Sequence, residues 1–394
     1  MALSIFNRLA IDIQEIDDPR SGPRSLRKHS LFDIVIIALC STIVGGDGYE
    51  AMVEFGNSKL DWLQQFLSLE NGIPSISTFQ RVISAICPNE FSGLLRVFAR
   101  DFSVLIDDEV RDGNEETKKR TVALDGKTHR RSHDRRANKS ALHTVSAFDT
   151  ESGLTIGEVA VDDKSNEIVA IPKLLKTLAI KGAVLTIDAM GCQKKIAQQI
   201  QEQGGGFVLA LKKNHGDLFA SVQSLFSDIP CLHDLPESTN RYTTVDADNG
   251  RIETRTVVAI PALSVYGLSK EWPEIKTFVA VESSREINGK ISTERRFYIS
   301  DQPPYSKAHS DYIRRHWLIE NQLHWVLDVT FREDASRVRT ANGPKNLGTL
   351  RRVALNLISN ETSEKGSKKM KSFRAGLTNR YLEKILFQSR VLPV

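Results

Sequence analysis

An α/β domain, preceded by a small all-helical domain and interrupted by a β-rich insertion, is the fold class this sequence predicts. Three observations predict it. Apolar residues recur at helical spacing through residues 1–110. From residue 121 three strand-like runs follow one another, and after them strands alternate with helices. Between residues 240 and 300 two Asn-Gly pairs each stand between strand-like runs, the strongest short signal for a two-residue hairpin turn.

In the first part the helical period runs through DIVIIALCSTIVG, EAMVEFGNSKLDWLQQFL and STFQRVISAI, with GGDG and NGIP as breaks. KLDWLQQFL, NGIP and SISTFQRVISAI have the layout of a helix-turn-helix. Its second helix, capped by Ser75 or Ser77, would enter a DNA groove through Gln80 and Arg81. Plain helical packing explains the same pattern. The polar run RDGNEETKKR, residues 111–120, reads as a linker.

TVALD, LHTVSAFD (142–149) and LTIGEVAVDD (154–163) read as an antiparallel meander. NEIVAIPKLLKTLA has the helical period, with Pro172 marking a break or a first turn. AVLTIDA (183–189) is a buried strand, CQKKIAQQIQEQG a helix and FVLALK (207–212) a further strand. The order β-β-β-α-β-α-β-α is that of a ribonuclease H-like domain. Its first part spans 121–229, the β-rich insertion 230–302, and the domain resumes over 303–360 with helices at 312–329 and 346–360. Residues 361–394 read as a basic C-terminal tail.

The net charge is only +4, from 53 Lys+Arg against 49 Asp+Glu, so bulk charge does not announce a nucleic-acid binder. The distribution says more, because basic residues bunch at 118–120, 127–139, 314–315, 337–339 and 365–374. The four cysteines form no C-x-x-C pair, which argues against a disulfide framework or a zinc ribbon. The longest apolar run, 31–46, is interrupted by Asp33 and too short for a membrane span. A cytoplasmic protein with no membrane partner is expected. Neither G-x-x-x-x-G-K-[ST] nor G-x-G-x-x-G occurs, and no small-molecule cofactor is expected.

Asp125 follows TVAL and Asp188 follows VLTI, so each leaves the carboxyl end of a buried strand. In the strand order just read those strands are neighbours, and two carboxylates side by side repel unless a cation lies between them. Read as a helix, YIRRHWLIENQLHWVLDV (312–329) places His316, Glu320, His324 and Asp328 along one face and Ile319, Leu323, Val326 and Leu327 on the other. Glu320 supplies a third oxygen ligand. Two aspartates and a glutamate suit Mg²⁺ or Mn²⁺, and two such ions stabilise both oxygens of an in-line phosphoryl displacement. His316, Asn321 and His324 are placed to orient the glutamate, contact phosphate or assist proton transfer. Trp317 and Trp325 imply that this helix is largely covered. The same H-x₃-E-x₃-H spacing is a weaker match to zinc, whose helical sites use H-E-x-x-H. Lys127, Arg130, Arg131, Lys212 and Lys213 stand close enough to the strand ends to hold a DNA backbone.

VALDGKTHRRS, DKSNEIVAIPKLL, TIDAMGCQKKIAQQI, LALKKNHGDL, RHWLIENQLHWVLDVTFREDASR and LRRVALNL occur in that order. Together they resemble the insertion-sequence transposases that include the H-repeat-associated proteins of bacteria. DPRSGPRSLRKHSLFDIVIIALCSTIVGGDGYEAMVEFG resembles the helical domain that accompanies their catalytic domain. The resemblance covers about residues 10–360. It implies a D-D-E transposase with Asp125, Asp188 and Glu320 as catalytic residues and metal ligands. DNA, as element ends and target, is the implied partner, and a homodimer the expected active complex. Related enzymes carry Y-x₂-R-x₃-E-x₆-K, whereas Ile313, His316 and Leu327 stand at the Tyr, Arg and Lys positions here. Arg315, His324 and Lys345 are the candidates to contact phosphate instead, and acids beside His316 are expected to favour its protonated form. A DNA-binding relic without catalysis, and a nuclease that cuts without joining, are the alternative functions.

Overall fold

Nine strands form one sheet in the order β3-β2-β1-β4-β5-β9-β8-β7-β6. In chain order they are β1 Thr121–Thr128, β2 His143–Asp149, β3 Leu154–Val161, β4 Val184–Ile187, β5 Gly206–Leu211, β6 Arg241–Asp248, β7 Arg251–Pro261, β8 Thr277–Ile287 and β9 Lys290–Ser300. The structure is a computed structural model and describes residues 5–100, 119–133, 139–162, 165–236, 239–248, 250–262, 272 and 274–387. Apart from residues 119 and 120, the expected linker lies outside the described residues.

The meander β1-β2-β3 is antiparallel, and β4 and β5 add to it in parallel. All four residues of β4 are at most 3% exposed, as expected of a short parallel strand covered on both faces. Helices Glu167–Leu175 and Lys194–Glu202 provide the crossovers and share one core with Val122, Leu124, Leu185 and Leu209. Pro172 lies inside the first of these helices.

The two hairpins expected between 240 and 300 form, and in the second both Asn288 and Gly289 have positive φ, as a tight primed turn requires. They do not make a separate body. β9 pairs antiparallel with β5, from Val208↔Ser300 to Leu211↔Phe297, so the insertion widens the same sheet. Phe278, Ala280, Phe297 and Ile299 are the reason, because they bury in the core that contains Leu209 and Leu211.

Residues 5–100 are mainly helical, with helices at Ile5–Gln14, Leu31–Ile43, Tyr49–Ser58 and Ile76–Ala85 among others. Ser30 and Ser75 cap two of them by accepting from the N–H groups of Asp33 and Thr78. Gln80 and Arg81 are exposed on the helix that Ser75 caps. This region is not independent. Its apolar residues share one cluster with Ile319, Leu323, Val353, Leu357, Tyr381 and Leu382. Asn346 donates to the carbonyls of Ile83 and Ile86.

Residues 361–394, expected as a tail, contain helices Lys368–Leu377 and Asn379–Phe387. Ser372 donates to Ile43 O, Lys59 to Asn379 and the Trp62 indole to Glu383. Ala375, Tyr381, Leu382, Ile385 and Leu386 of these helices join the N-terminal core, and of the basic residues that suggested a tail, Lys365 and Lys369 are exposed while Lys371 is buried and donates to Glu361 O. No single described helix is long and apolar enough to cross a membrane.

Candidate active site

Register places the two aspartates level. Leu124 pairs with Ile187 across the parallel β1–β4 ladder, so Asp125 and Asp188 each follow the last paired residue. Asp188 Oδ1 accepts from the N–H groups of Met190 and Gly191, which fixes the turn that ends β4. Asp125 Oδ1 accepts from Gly126 N, leaving Oδ2 toward the cleft.

The third acid stands on a broken helix. A helix spans Ser306–His316, a π-helical turn spans Ile319–His324, and the chain continues as helix Trp325–Val329. The wider turn, in which Trp325 N–H reaches Glu320 O, lets Ile319 and Leu323 sink fully into the core while Glu320 stays at the surface. Such turns are frequent at functional sites. His324 is drawn inward with them: it is 5% exposed, and its Nδ1 lies 3.4 Å from Glu320 Oε2 and 3.7 Å from Asp125 Oδ2.

Asp125, Asp188 and Glu320 line one cleft of about 650 Å³ together with Thr186, Lys212, Lys213, His316 and Trp317. Its remaining wall comes from β9 and includes Arg296 and Tyr298. Trp317 and Trp325, expected to be covered, are 45% and 59% exposed. The Arg296 guanidinium lies 5.5 Å from the centre of the Trp317 ring and is bonded to Glu294 at 2.9 Å. Arg296 is the residue that sequence reasoning missed. Only the pairing of β9 with β5 brings it beside a helix twenty residues further on.

The expected basic contacts separate into three groups. Lys212, Lys213 and His316 line the cleft, and His324 abuts it through the two acids. Arg130 and Arg131 are exposed outside it, where Arg339 donates to Arg131 O. Lys127 and Arg315 serve the fold instead. Lys127 is 7% exposed and bonds Asp328 at 2.7 Å and Asp334 at 3.3 Å, because it alternates with Gly126 onto the face covered by the 325–335 segment. Arg315 pairs with Glu151 in the β2–β3 turn. Lys345 is not among the cleft-lining residues.

Burial and the Glu320 carboxylate push Asp125 up to about 8. Glu320 is held at about 2, first by its hydrogen bond to His324. The two acids thus form one coupled pair, in which the more buried partner keeps the proton. Burial holds His316 below the usual imidazole range, against the pull of Asp188, so the expectation that acids would keep it protonated is corrected. Its Nδ1 lies 3.0 Å from Thr186 Oγ1.

The Asp125 shift has a stability consequence. A folded-state value above the unfolded one contributes stability below about pH 4 that is lost as pH rises toward 8. In chelator, Asp125→Asn is therefore expected to stabilise the chain by roughly 1–3 kcal/mol at pH 8, with the gain shrinking toward pH 4. Denaturant titrations across that range check it, and a pH-independent difference would refute the assignment.

The donor set suits a divalent cation. Asp125, Glu320 and His324 each place one ligand atom within 4.8 Å of the others, and a dication is what two adjoining carboxylates in a cleft lack.

Comparison with known proteins bears on the domain that holds these residues. The family described as "Transposase DDE domain" matches residues 116–357, and "DDE_Tnp_1-associated" matches residues 11–99. YhhI, an H repeat-associated transposase candidate of Escherichia coli (strain K12), is 36% identical over 91% of this chain and 93% of its own length. An uncharacterised protein of the dhlA 3′ region of Xanthobacter autotrophicus is 43% identical over 72% of this chain and 91% of its own. The piggyBac transposase synaptic complex with hairpin DNA aligns at a TM-score of 0.41 and 12% identity, over 98% of this chain and 78% of that one, a likeness too slight to carry argument. The acids at 125, 188 and 320 all fall within the matched domain, and the chain belongs to the DDE-domain transposase family.

Proposed function

We propose that this chain cuts DNA at the ends of its own insertion element and joins the freed ends to target DNA, on a ribonuclease H-like core made of β1–β5. The observation that carries this reading is the level placement of Asp125 and Asp188 on neighbouring parallel strands, with Glu320 against Asp125 in the same cleft. The strand order β3-β2-β1-β4-β5 supports the core assignment.

Bound divalent ions would supply charge stabilisation at the attacking and leaving oxygens of an in-line displacement. Asp125, Asp188 and Glu320 would hold them. In the first step a water oxygen bonds to phosphorus, the P–O3′ bond breaks, and a 3′-hydroxyl and a 5′-phosphate result. In the second, that 3′-hydroxyl loses its proton and bonds to a target phosphorus, the target's own P–O3′ bond breaks, and the released 3′-oxygen takes up a proton. The chain's own contribution is positioning. Lys212 and Lys213 meet the backbone at the cleft mouth, and Arg130, Arg131, Arg337 and Arg339 form an exposed basic rim. Thr186 orients His316 beneath Glu320.

The test is incubation of the protein with a supercoiled plasmid that carries its gene and flanking DNA. Nicks that need Mg²⁺ or Mn²⁺, followed by joined products, are expected. Nicks without joining would establish a nuclease instead, and binding without nicks a catalytically silent protein.

Arg296 is assigned the phosphate contact that the family signature gives to an arginine near the third acid. Arg296→Ala should lower the slope of log Kd against log salt by about one phosphate contact, and Arg296→Lys should keep the slope while losing the flat stack on Trp317. Binding isotherms at four salt concentrations check this, and an unchanged slope in Arg296→Ala would remove Arg296 from the interface.

A further inference from the structure

The group that joins Asp125 and Glu320 within 4.8 Å is a histidine, not Asp188. One ligand atom each from Asp125, Glu320 and His324 lies within 4.8 Å of the other two. Asp188 is outside that set, its Oδ1 engaged by two backbone N–H groups. Neighbouring ligands on an octahedral ion at ~2.1 Å stand about 3 Å apart. The separations of 3.4 and 3.7 Å from His324 Nδ1 to the two carboxylates need close by only a fraction of an ångström to reach that geometry.

Two further observations point to a ligand. The ring is 5% exposed, with Ile319 and Leu323 of its own turn fully buried, so the backbone brings it to the acids and little freedom remains to leave them. Its Nε2 is buried and makes no hydrogen bond among the described residues. Nothing there fixes the tautomer, so the ring can carry its proton on Nε2 and turn the Nδ1 lone pair to a cation. With no cation bound, the Nδ1 side of the ring faces the Glu320 carboxylate at 3.4 Å.

We infer that His324 is a direct ligand, through Nδ1, of the divalent ion that Asp125 and Glu320 hold, giving that position two oxygens and one nitrogen from the chain. This rests on the proposed reading of the acids as a metal site. Its consequence is selectivity. Imidazole nitrogen suits transition metals, whereas Mg²⁺ is served by oxygen. The site therefore binds Mn²⁺ in preference to Mg²⁺, and Asp188 is left to hold a second ion with substrate oxygens. The π-helical turn shapes the arrangement, because it brings Glu320 and His324 to the Asp125 carboxylate while Ile319 and Leu323 enter the core.

The test uses the full-length, metal-free chain and Mn²⁺ alone, read by pulsed electron paramagnetic resonance. Modulation from a directly bound nitrogen is expected in the wild type, persisting in His316→Gln and lost in His324→Gln. His324→Gln should also bind Mn²⁺ about 10- to 100-fold more weakly. His324→Asp, which offers oxygen in place of nitrogen, should shift the competition between Mn²⁺ and Mg²⁺ toward Mg²⁺. A wild-type spectrum without nitrogen modulation overturns the histidine ligand even if a variant folds poorly, and modulation that persists in His316→Gln excludes the other cleft histidine. Bound Mn²⁺ without nitrogen modulation, or modulation lost only in His316→Gln, would overturn the histidine ligand and leave the acid site standing. Mn²⁺ binding that is absent, or indifferent to Asp125→Asn, would overturn the acid site itself.

Discussion

Asp125→Asn, Asp188→Asn and Glu320→Gln should each lower metal-dependent strand cleavage by at least roughly 10³-fold while leaving the fold intact. Each removes one carboxylate charge at nearly constant volume, and the other carboxylate among the described lining residues, Glu294, is already bonded to Arg296 at 2.9 Å. The losses should not add, because three ligands of one reaction centre fail as a unit. Nicking of a plasmid bearing the element's ends, measured at saturating Mg²⁺ and again at saturating Mn²⁺, checks all three. Near-normal cleavage by any one variant would remove that residue from the centre.

Arg352→Ala should destabilise the chain by about 3–5 kcal/mol, the usual cost of removing one partner from a buried ion pair. Arg352 is fully buried, bonds Glu333 at 2.9 Å and the Gly348 carbonyl at 3.1 Å, and pairs with Glu158 on β3. The knot joins the buried helix Gly343–Asn360 to the sheet and to the segment that follows the third acid. Even with Arg352 present, burial raises Glu158 to about 7, while Arg352 and His129 hold the equally buried Glu333 at about 2. Without the guanidinium both carboxyls shift upward. Raised folded-state values give stability that is complete below the unfolded value of about 4.5 and is lost as pH rises. The deficit of Arg352→Ala relative to wild type should therefore be small near pH 5 and largest near pH 8. Denaturant unfolding at both values measures it, and equal deficits would show that lost packing, not uncompensated charge, sets the cost. Adding Glu158→Gln and Glu333→Gln to the variant should recover part of the loss.

The sequence by itself determined the elements that local periodicity and turn chemistry encode. Asp125 and Asp188 could be placed at strand ends because TVAL and VLTI are short apolar runs with no helical period, each ended by a carboxylate. The Asn288-Gly289 hairpin was legible because few residue pairs tolerate positive φ at both positions. Glu320 could be set on a helical segment because Ile319, Leu323 and Leu327 mark its buried side. Tertiary structure alone decided which distant surfaces met. The union of β9 with β5, and with it Arg296 beside Trp317, depends on apolar faces about ninety residues apart that no local pattern pairs. The burial of Lys127 and the use of Arg315 as a tie to Glu151 follow from segments folding over them, so exposed and buried cations read alike in sequence. The same holds for residues 361–394, whose apolar stripe is too short to announce itself until the N-terminal helices offer it a surface. His324 shows the limit most sharply. A spacing of four residues fits both an α-helix and a π-helical turn, and only the core's demand for Ile319 and Leu323 selects the wider turn that sets its imidazole against two carboxylates.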